Sequence, residues 1–309
     1  MVVDHDDLPE SEGLKLFDPK DVPDNPPPET FYQHRTSFLG SVRETWKYRG
    51  VIFALAERDV RISYKQAALG MLWAVLNPIL QVVIFTLIFS RVKAFHVTGV
   101  PYSVYAYTGI LCWTFFAGSL TAGGVSMVGN TSLLQKTQFS RECFPLSQML
   151  EQSLYTTIGI LPLAILMGYL GFAPKLEAVY FPIFIFIEVV FAAGVVLAMC
   201  ALIVYLRDLV QIMSIITQLG LFATPIIWPL NKLSSITYGP LGLHKANLEP
   251  YYCFFNPLAA VIDDFRRTVL QGLQPDWRLT GIAAVSAFLY FVAGYKIFKR
   301  LEIGFADIS

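Results

Sequence analysis

Long charge-free runs recur between residues 66 and 295, and each is about as long as a membrane span. A helix needs about 20 mainly apolar residues to cross about 30 Å of hydrocarbon. The runs therefore predict six transmembrane helices, with Glu188 as one acidic interruption in the fourth. The predicted spans are residues 66–90, about 103–127, 152–174, 178–206, 209–231 and 279–295.

The composition agrees with this pattern. The chain has 309 residues, of which 55% are hydrophobic and 15% are charged, whereas soluble domains are about 25% charged. The net charge is zero, so no global basic surface indicates a nucleic-acid partner. The four cysteines form no CxxC motif and have no metal-ligand spacing, so we expect neither a disulfide framework nor a metal site. An all-α membrane protein without a cofactor is the expected class.

The first 65 residues have a different character from the rest. Residues 1–30 are acidic and carry six prolines, which predicts a disordered cytoplasmic tail. In residues 31–65, Leu39, Val42, Trp46 and Phe53 fall near helical spacing among basic residues. This pattern predicts an amphipathic helix in the membrane interface, and a short soluble helix that packs on a partner is the alternative.

The distribution of Lys and Arg predicts the orientation. Residues 35–65 hold seven of them, and both the 129–147 loop and the end of the last span add more on the same side. Positive residues favour the cytoplasmic side. We therefore expect a plasma-membrane protein with both termini, including residues 301–309, in the cytoplasm.

The stretch 232–278 between the fifth and sixth spans is unusual, because residues 253–273 are too apolar for a solvated loop and too charged for a span. Such backbone is tolerated at membrane depth only when protein or a water-filled cavity covers it. We therefore predict re-entrant helices that form an outer gate. Its charged residues can pair with one another, or can bind Mg²⁺ and diphosphate in a membrane enzyme; they are Asp263, Asp264, Arg266 and Arg267.

A basic stripe precedes the first span. Arg58, Arg61 and Lys65 recur at i, i+3 and i+7, and Glu57 stands four residues before Arg61. Such a stripe can hold anionic headgroups, recruit a phosphate-bearing substrate or dock a cytosolic partner. Anchoring of the topology by positive charge is the simpler alternative.

Six stretches stand out in order along residues 40–300. They are RDVRISYKQAALGMLWAVLNPIL (58–80), YTGILCWTFF (107–116), NTSLLQKTQFSRECFPLS (130–147), YLRDLVQI (205–212), ATPIIWPL (223–230) and NPLAAVIDDFRRTVLQG (256–272). Together they resemble the permease subunits of ABC-2-type exporters for lipid-linked polysaccharides such as O-antigen, capsule and teichoic acid. The acidic tail and the aromatic-rich outer region are similar to those of actinobacterial exporters of lipid-linked galactan.

The resemblance implies a six-span permease domain over residues 66–300, two copies of the chain, and two cytosolic ATPase subunits that bind ATP and Mg²⁺. No G-x-x-x-x-G-K-[ST] motif occurs in the sequence, which agrees with a separate ATPase. The coupling loop 129–147 has apolar residues within a charged rim, as protein contacts do, although a solvated loop is the alternative. The predicted ATPase-coupling residues are Glu57, Arg58, Asp59, Leu133, Lys136, Phe139, Arg141 and Glu142.

The resemblance also implies a polyprenyl-diphosphate-linked glycan that enters from the inner leaflet and passes outward through a channel between two copies of the chain, with membrane lipids as further partners. Arginine suits phosphate, so Arg58, Arg61 and Lys65 are the predicted headgroup residues. Aromatic rings suit a sliding sugar chain, so Trp73, Trp113 and Phe116 are the predicted channel residues, although interfacial belts also concentrate such rings. An exporter of drugs or small lipids remains an alternative.

Glu188 is ionisable within a span, which by default suggests a function. A structural role, in which it snorkels or pairs with an arginine of the outer segment, is the preferred interpretation.

Overall fold

The computed structural model describes residues 45–65, 72–90, 99–131, 133, 139–233, 236–238 and 244–302. Nearly all of these residues are helical. The α-helices are α1 Arg49–Lys65, α2 Leu72–Phe89, α3 Tyr102–Gly129, α4 Cys143–Tyr169, α5 Phe181–Tyr205, α6 Leu209–Ala223, α7 Glu249–Phe255, α8 Pro257–Arg266 and α9 Trp277–Glu302. The shorter elements are 3₁₀ turns Leu176–Tyr180 and Leu230–Leu233, a π turn Arg267–Gln271, and strands β1 Ile236–Tyr238 and β2 His244–Ala246.

Four helices in the described residues are long and apolar enough to cross a membrane: α3, α4, α9, and α5 together with the 3₁₀ turn before it. They correspond to the second, third, sixth and fourth predicted spans. The first and fifth predicted spans correspond to shorter apolar helices, Val75–Phe89 within α2 and Leu209–Ala223. A multi-pass membrane protein is therefore supported, whereas the count of six spans stays a prediction.

Helix α3 lies at the centre of the bundle and packs against α2, α4, α5, α6 and α8. Its sequence has no clear polar face, and its apolar side chains are therefore buried on several sides. Helices α5 and α9 are in close backbone contact at two glycines: a Cβ on Gly294 would overlap the carbonyl oxygen of Gly194. Small residues allow this close approach of two backbones.

The stretch 232–278 contains two short helices, α7 and α8, which break at Asn256. Most of α8 is buried against α3, α5 and α9. The left-handed Gly272 (φ 67°) then ends the π turn. The helix pair fits the predicted outer segment, and its re-entrant position stays a prediction.

The same stretch also contains a two-stranded antiparallel hairpin that the all-α prediction did not include. Ile236 pairs with Ala246 and Tyr238 with His244. The sequence Ile-Thr-Tyr of β1 combines β-branched and aromatic residues, which favour extended backbone.

One further boundary differs from that predicted. Helix α4 begins at Cys143, inside the predicted 129–147 loop, because its first turns pack against the bundle despite their polar residues. Helix α1 precedes the first apolar segment, and the amphipathic interfacial helix over residues 31–65 stays a prediction. The tail 1–30, Leu39, Val42, residues 66–71 and most of 301–309 lie outside the described residues.

Candidate functional site

One face of α6 carries polar side chains, although the rest of the helix is apolar apart from Thr217. Gln211, Ser214 and Gln218 are exposed, and their i, i+3, i+7 spacing places them on one side of the helix. Phe222, 57% exposed, continues the same side by one turn. We call these four residues the α6 stripe.

The opposite side of α6 packs against α3. Met213 is buried beside Gly124, and Gly220 lies against the ring of Trp113. The α6 stripe therefore faces away from the bundle. Amide and hydroxyl groups are costly to place in hydrocarbon, so a polar path or a protein partner suits this face better than lipid does.

The structure separates the three predicted channel residues. Trp113 and Phe116 are buried, with ring centroids 5.6 Å apart, and Phe116 stacks on Phe191 at 5.2 Å. Trp113 thus supports α6 from inside the bundle. Trp73, on α2, is about half exposed and borders a polar cleft between α1 and α4.

Arg266 of the predicted outer gate is 1% exposed and ties α8 to α3 and to the segment after α6. Its guanidinium donates to the carbonyl oxygens of Pro225 (2.6 Å), Ile226 (2.7 Å) and Tyr105 (3.1 Å). The guanidinium carbon also lies 3.6 Å from the centroid of the Tyr105 ring, a cation–π contact. Because Pro225 and Ile226 follow α6 directly, Arg266 fixes the end of the helix that carries the α6 stripe.

Asp264 joins the outer segment to α9. It accepts hydrogen bonds from the backbone N–H of Asp276 (2.7 Å) and from the hydroxyl of Thr280, and Arg267 lies 3.9 Å away. Burial raises the pKa of Asp264 to about 6, and these hydrogen bonds oppose the rise. Burial likewise raises the pKa of Asp263 to about 6, against the charges of Arg266 and Arg267.

These contacts engage the Asp264 carboxylate, which a metal ion would need as a ligand. Among the residues that the structure describes, no three His, Cys, Asp or Glu side chains lie together as a metal site. The sequence predicted ion pairs among Asp263, Asp264, Arg266 and Arg267. Of these, the structure contains the pair between Arg267 and Asp264.

The charged residues of α1 fall into two sets. Arg58 contacts Asp59 (2.7 Å) and Asn130 (3.0 Å), and Asp59 also accepts from Gln148 of α4 (2.6 Å). This set ties α1 to the ends of α3 and α4.

The second set points outward. Arg61 pairs with Glu57 at 2.6 Å, and both side chains are mostly exposed. Lys65, one turn further, is also exposed. The predicted headgroup residues are therefore divided: Arg58 is held within the chain, whereas Arg61 and Lys65 are accessible.

The described part of the predicted coupling loop packs onto its own chain. Leu133 and Phe139 are partly buried, and the Phe139 ring lies 6.4 Å from Tyr48 and 5.5 Å from Phe144. The loop is thus joined to the segment that leads into α1. Lys136 lies outside the described residues.

Glu142 and Arg141 connect this loop to the end of α9. Glu142 is buried and pairs with Lys299 at 2.6 Å, and Lys299 also contacts Glu302 at 2.9 Å. Arg141 donates to the carbonyl oxygen of Glu302 at 2.7 Å. We call Arg141, Glu142, Lys299 and Glu302 the α9 lock; sequence reasoning found its first two members and missed the others.

Glu188 lies inside the bundle on α5, against the thiol of Cys112 on α3. Its Oε1 atom has no hydrogen-bond partner in the described part of the chain. Its contacts there do not include an arginine of the outer segment, so the predicted pairing is not observed.

The α6 stripe was also missed by sequence reasoning, which counted charges and not neutral polar groups. The signal was present, because Gln211, Ser214 and Gln218 stand at helical spacing within a charge-free run. Only the packing of Met213 and Gly220 shows that this face is exposed.

Comparison with known proteins identifies a transporter family and several similar permeases. Residues 50–239, more than half of the chain, match the family of ABC-2 type transporters. The O-antigen export system permease protein RfbA of Myxococcus xanthus is 28% identical over 268 residues, which cover 86% of this chain and 98% of that protein. Two Klebsiella pneumoniae proteins of the same name are 27% and 26% identical over 259 residues, which cover 84% of this chain and 94% of each relative.

Proposed function

The chain belongs to the ABC-2 type transporter family, and from this premise we propose that it is the permease subunit of a polysaccharide exporter. The family comprises transporters and not enzymes, so the membrane-enzyme alternative is set aside. Relatives named as O-antigen export permeases match the chain over nearly their whole length, and this match supports a polysaccharide substrate. The proposed substrate is a polyprenyl-diphosphate-linked glycan, which moves from the cytoplasmic to the outer face of the plasma membrane.

The α6 stripe is the observation that carries this proposal. Two copies of the chain would place their α2 and α6 faces toward each other around a channel. Helix α6 has 15 residues, about 22 Å at 1.5 Å per residue, and is shorter than about 30 Å of hydrocarbon. Amides, a hydroxyl and an aromatic ring on such a helix suit a hydrated sugar chain, because they offer exchangeable hydrogen bonds and apolar contact.

The diphosphate would enter at the outward set on α1. Arg61 and Lys65 are accessible, and the exposed Arg61–Glu57 pair is of a kind that contributes only about 0.3–0.5 kcal/mol. A phosphate can therefore replace Glu57 as the partner of Arg61 at little cost. Arg58 would position α1 through Asp59 and Asn130 instead of binding the substrate.

Energy would come from two separate ATPase subunits that hold ATP and Mg²⁺. Helix α1 and the loop after α3 are the proposed contact surfaces, on the cytoplasmic side together with both termini. Since Leu133, Phe139 and Glu142 are packed within the chain, these residues would transmit motion between α1 and α9, and Glu57 and Arg61 would remain at the surface.

The experiment replaces Gln218 with leucine in cells that depend on the chain. Impermeant periodate oxidation then measures how much lipid-linked glycan reaches the outer face, with a lipid-linked galactan as the first glycan to test. We expect Gln218→Leu to slow export by at least about fivefold, because one lost hydrogen bond costs about 1 kcal/mol.

Gln274→Leu is the matched control, because Gln274 is exposed outside α6, and it should export normally. Normal export by Gln218→Leu would remove the α6 stripe from the path. If loss of the chain caused an unextended lipid precursor to accumulate, and not a completed glycan on the inner face, the proposed function itself would be wrong.

A further inference from the structure

A groove follows α4 and consists of two compartments of different chemistry. The polar compartment, about 680 Å³, lies between α1, α2, α3 and α4, and its lining includes Asp59, Trp73, Gln148, Glu151, Gln152 and Tyr155. The apolar compartment, about 650 Å³, continues toward α8, and its lining includes Leu163, Met167, Gly168, Phe172, Phe181 and Phe265. Both volumes lie within the usual range for ligand pockets, about 300–1,000 Å³.

The two compartments adjoin each other at Leu111 and Gly159. Leu111 of α3 borders both of them, and the polar lining on α4 ends at Gly159, where the apolar lining begins with Ile160. A Cβ on Gly159 would come within 2.9 Å of Leu111 Cδ1. The glycine therefore lets Leu111 pack closely against α4 at the junction. Because Leu111 lines both compartments, one elongated molecule that occupies both would lie over this side chain.

The polar compartment offers hydrogen bonds more than net charge. Asp59 is already bonded to Arg58 and Gln148, and Glu151 accepts from Tyr155. Amide and hydroxyl groups, which both donate and accept, also line it, together with the half-exposed Trp73 and apolar side chains such as Ile62 and Leu111. This combination suits a hydroxylated ring, which stacks on an aromatic face and exchanges hydrogen bonds along its edges.

Phosphate does not suit the compartment. Two of its described lining residues are acidic and none is basic. The cation beside Asp59, Arg58, already contacts Asp59 and Asn130, so a phosphate would meet two carboxylates without a cation that is available to bind it. In the proposed transport substrate the diphosphate stands between the hydrocarbon chain and the sugar. That order would place the diphosphate at the junction or beside the carboxylates, so the groove does not fit the transported molecule.

We infer that this groove binds a phosphate-free glycolipid, with the sugar headgroup in the polar compartment and a hydrocarbon chain in the apolar compartment. The lipid is a resident ligand of each chain, separate from the transported glycan. Because Asp59 and Ser63 of α1 line the polar compartment, the bound sugar would contact the helix that is proposed to receive the ATPase motion. The inference goes beyond the proposed function.

Native mass spectrometry of the detergent-purified full chain tests this inference. The probes are glucosyl-diacylglycerol, phosphatidylglycerol and phosphatidylethanolamine, each titrated separately at the same chain length. We expect one saturable glucosyl-diacylglycerol per chain, bound at least about tenfold more tightly than either phospholipid. Equal binding of the three lipids, or preference for a phospholipid, would overturn the inference.

Matched variants locate the site. Gly168→Leu projects into the apolar compartment, where a Cβ meets nothing within 4 Å, and it should weaken glucosyl-diacylglycerol binding about tenfold by displacing roughly two methylene groups of the chain. Gly281→Leu is the control, because Gly281 on α9 is equally open and borders neither compartment. An equal loss in both variants would contradict the assignment.

Gln152→Leu provides an independent readout of the headgroup. Gln152 lines the polar compartment, so its replacement should reduce the preference for glucosyl-diacylglycerol over phosphatidylglycerol at least about fivefold, as expected for one lost hydrogen bond. An unchanged preference would show that the sugar does not lie there.

Discussion

At the scale of single residues, Arg266 shows how a charged side chain is accommodated inside the bundle. Its donors are directed at backbone carbonyl oxygens that follow or lie within other helices. Buried polar groups are tolerated when such partners are in place. The position of α8, and with it the end of α6, therefore depends on one guanidinium.

Arg266→Met should lower the free energy of unfolding by at least about 3 kcal/mol, because it leaves several buried carbonyl oxygens without donors. Arg266→Lys should recover only part of this loss, since an ammonium cannot match the geometry of the guanidinium fork. Thermal unfolding in detergent measures both variants. Arg278→Met, at an exposed position in the first turn of α9, is the control, and an equal effect there would contradict the role given to Arg266.

Asp264 predicts a pH dependence. Its pKa of about 6 in the folded chain lies above about 3.9, the ordinary value for Asp. Protonated Asp264 therefore contributes stability that is complete below about pH 4 and is lost as the pH rises through 6, by up to about 3 kcal/mol.

Thermal unfolding of the wild type and Asp264→Asn between pH 4 and 8 measures this contribution. The difference in unfolding free energy between the two should change over that window and level off above pH 7. A constant difference would show that Asp264 stays ionised throughout, stabilised by Arg267, Asp276 and Thr280.

Some residue-level features could not have been predicted from the sequence. Most hydrogen-bond acceptors of Arg266 are main-chain atoms, up to 161 positions away, and a sequence pattern does not identify backbone acceptors. The exposed Arg61–Glu57 pair, in contrast, follows from spacing within one helix. Local pairs are predictable, whereas contacts set by the packing of distant helices are not.

At the scale of elements, the α9 lock joins the loop after α3 to the last helix. Lys299→Met would leave Glu142 buried without its ammonium partner, which costs about 3–5 kcal/mol. We expect this variant to lose stability in detergent and to lose most ATP-driven export. The double variant Lys299→Met/Glu142→Gln should recover at least about 1 kcal/mol, because the unpaired charge is gone.

Lys296→Met is the control for this cycle, because Lys296 lies one turn away at an exposed position. If the effects of Lys299→Met and Glu142→Gln on the free energy of unfolding were strictly additive, Glu142 and Lys299 would act independently. The α9 lock would then have no role as a connection between the loop and α9.

The helices themselves could be predicted largely from charge-free length. That signal found α3, α5 and α9, because their apolar residues continue for a full span. It placed the start of α4 too late, since Cys143–Glu151 mixes polar and charged side chains that are buried only through packing. It also missed the hairpin, because strands of three residues are too short for an alternating hydrophobic pattern to be recognised.

At the scale of the whole molecule, the apolar faces of α2 and α6 are the proposed contact between two copies. Leu219 of α6 is 65% exposed, and Leu161 of α4 is similarly exposed at 62%. The four native cysteines are free and buried, so a short thiol crosslinker should react mainly at an introduced cysteine.

Leu219→Cys should therefore form a crosslinked dimer in membranes, whereas Leu161→Cys, which faces lipid in this arrangement, should stay monomeric on a denaturing gel. Crosslinking through Leu161→Cys alone would place the dimer on the other side of the bundle and would separate the α6 stripe from the channel.

The central claim is that this chain is a conduit driven by energy from a separate ATPase. The most direct measurement is glycan translocation in liposomes that contain the purified chain, with and without its ATPase subunit, in the presence of ATP and Mg²⁺. The account predicts transport and ATP hydrolysis only when both proteins are present. Hydrolysis or ATP-dependent transport by the chain alone would contradict it.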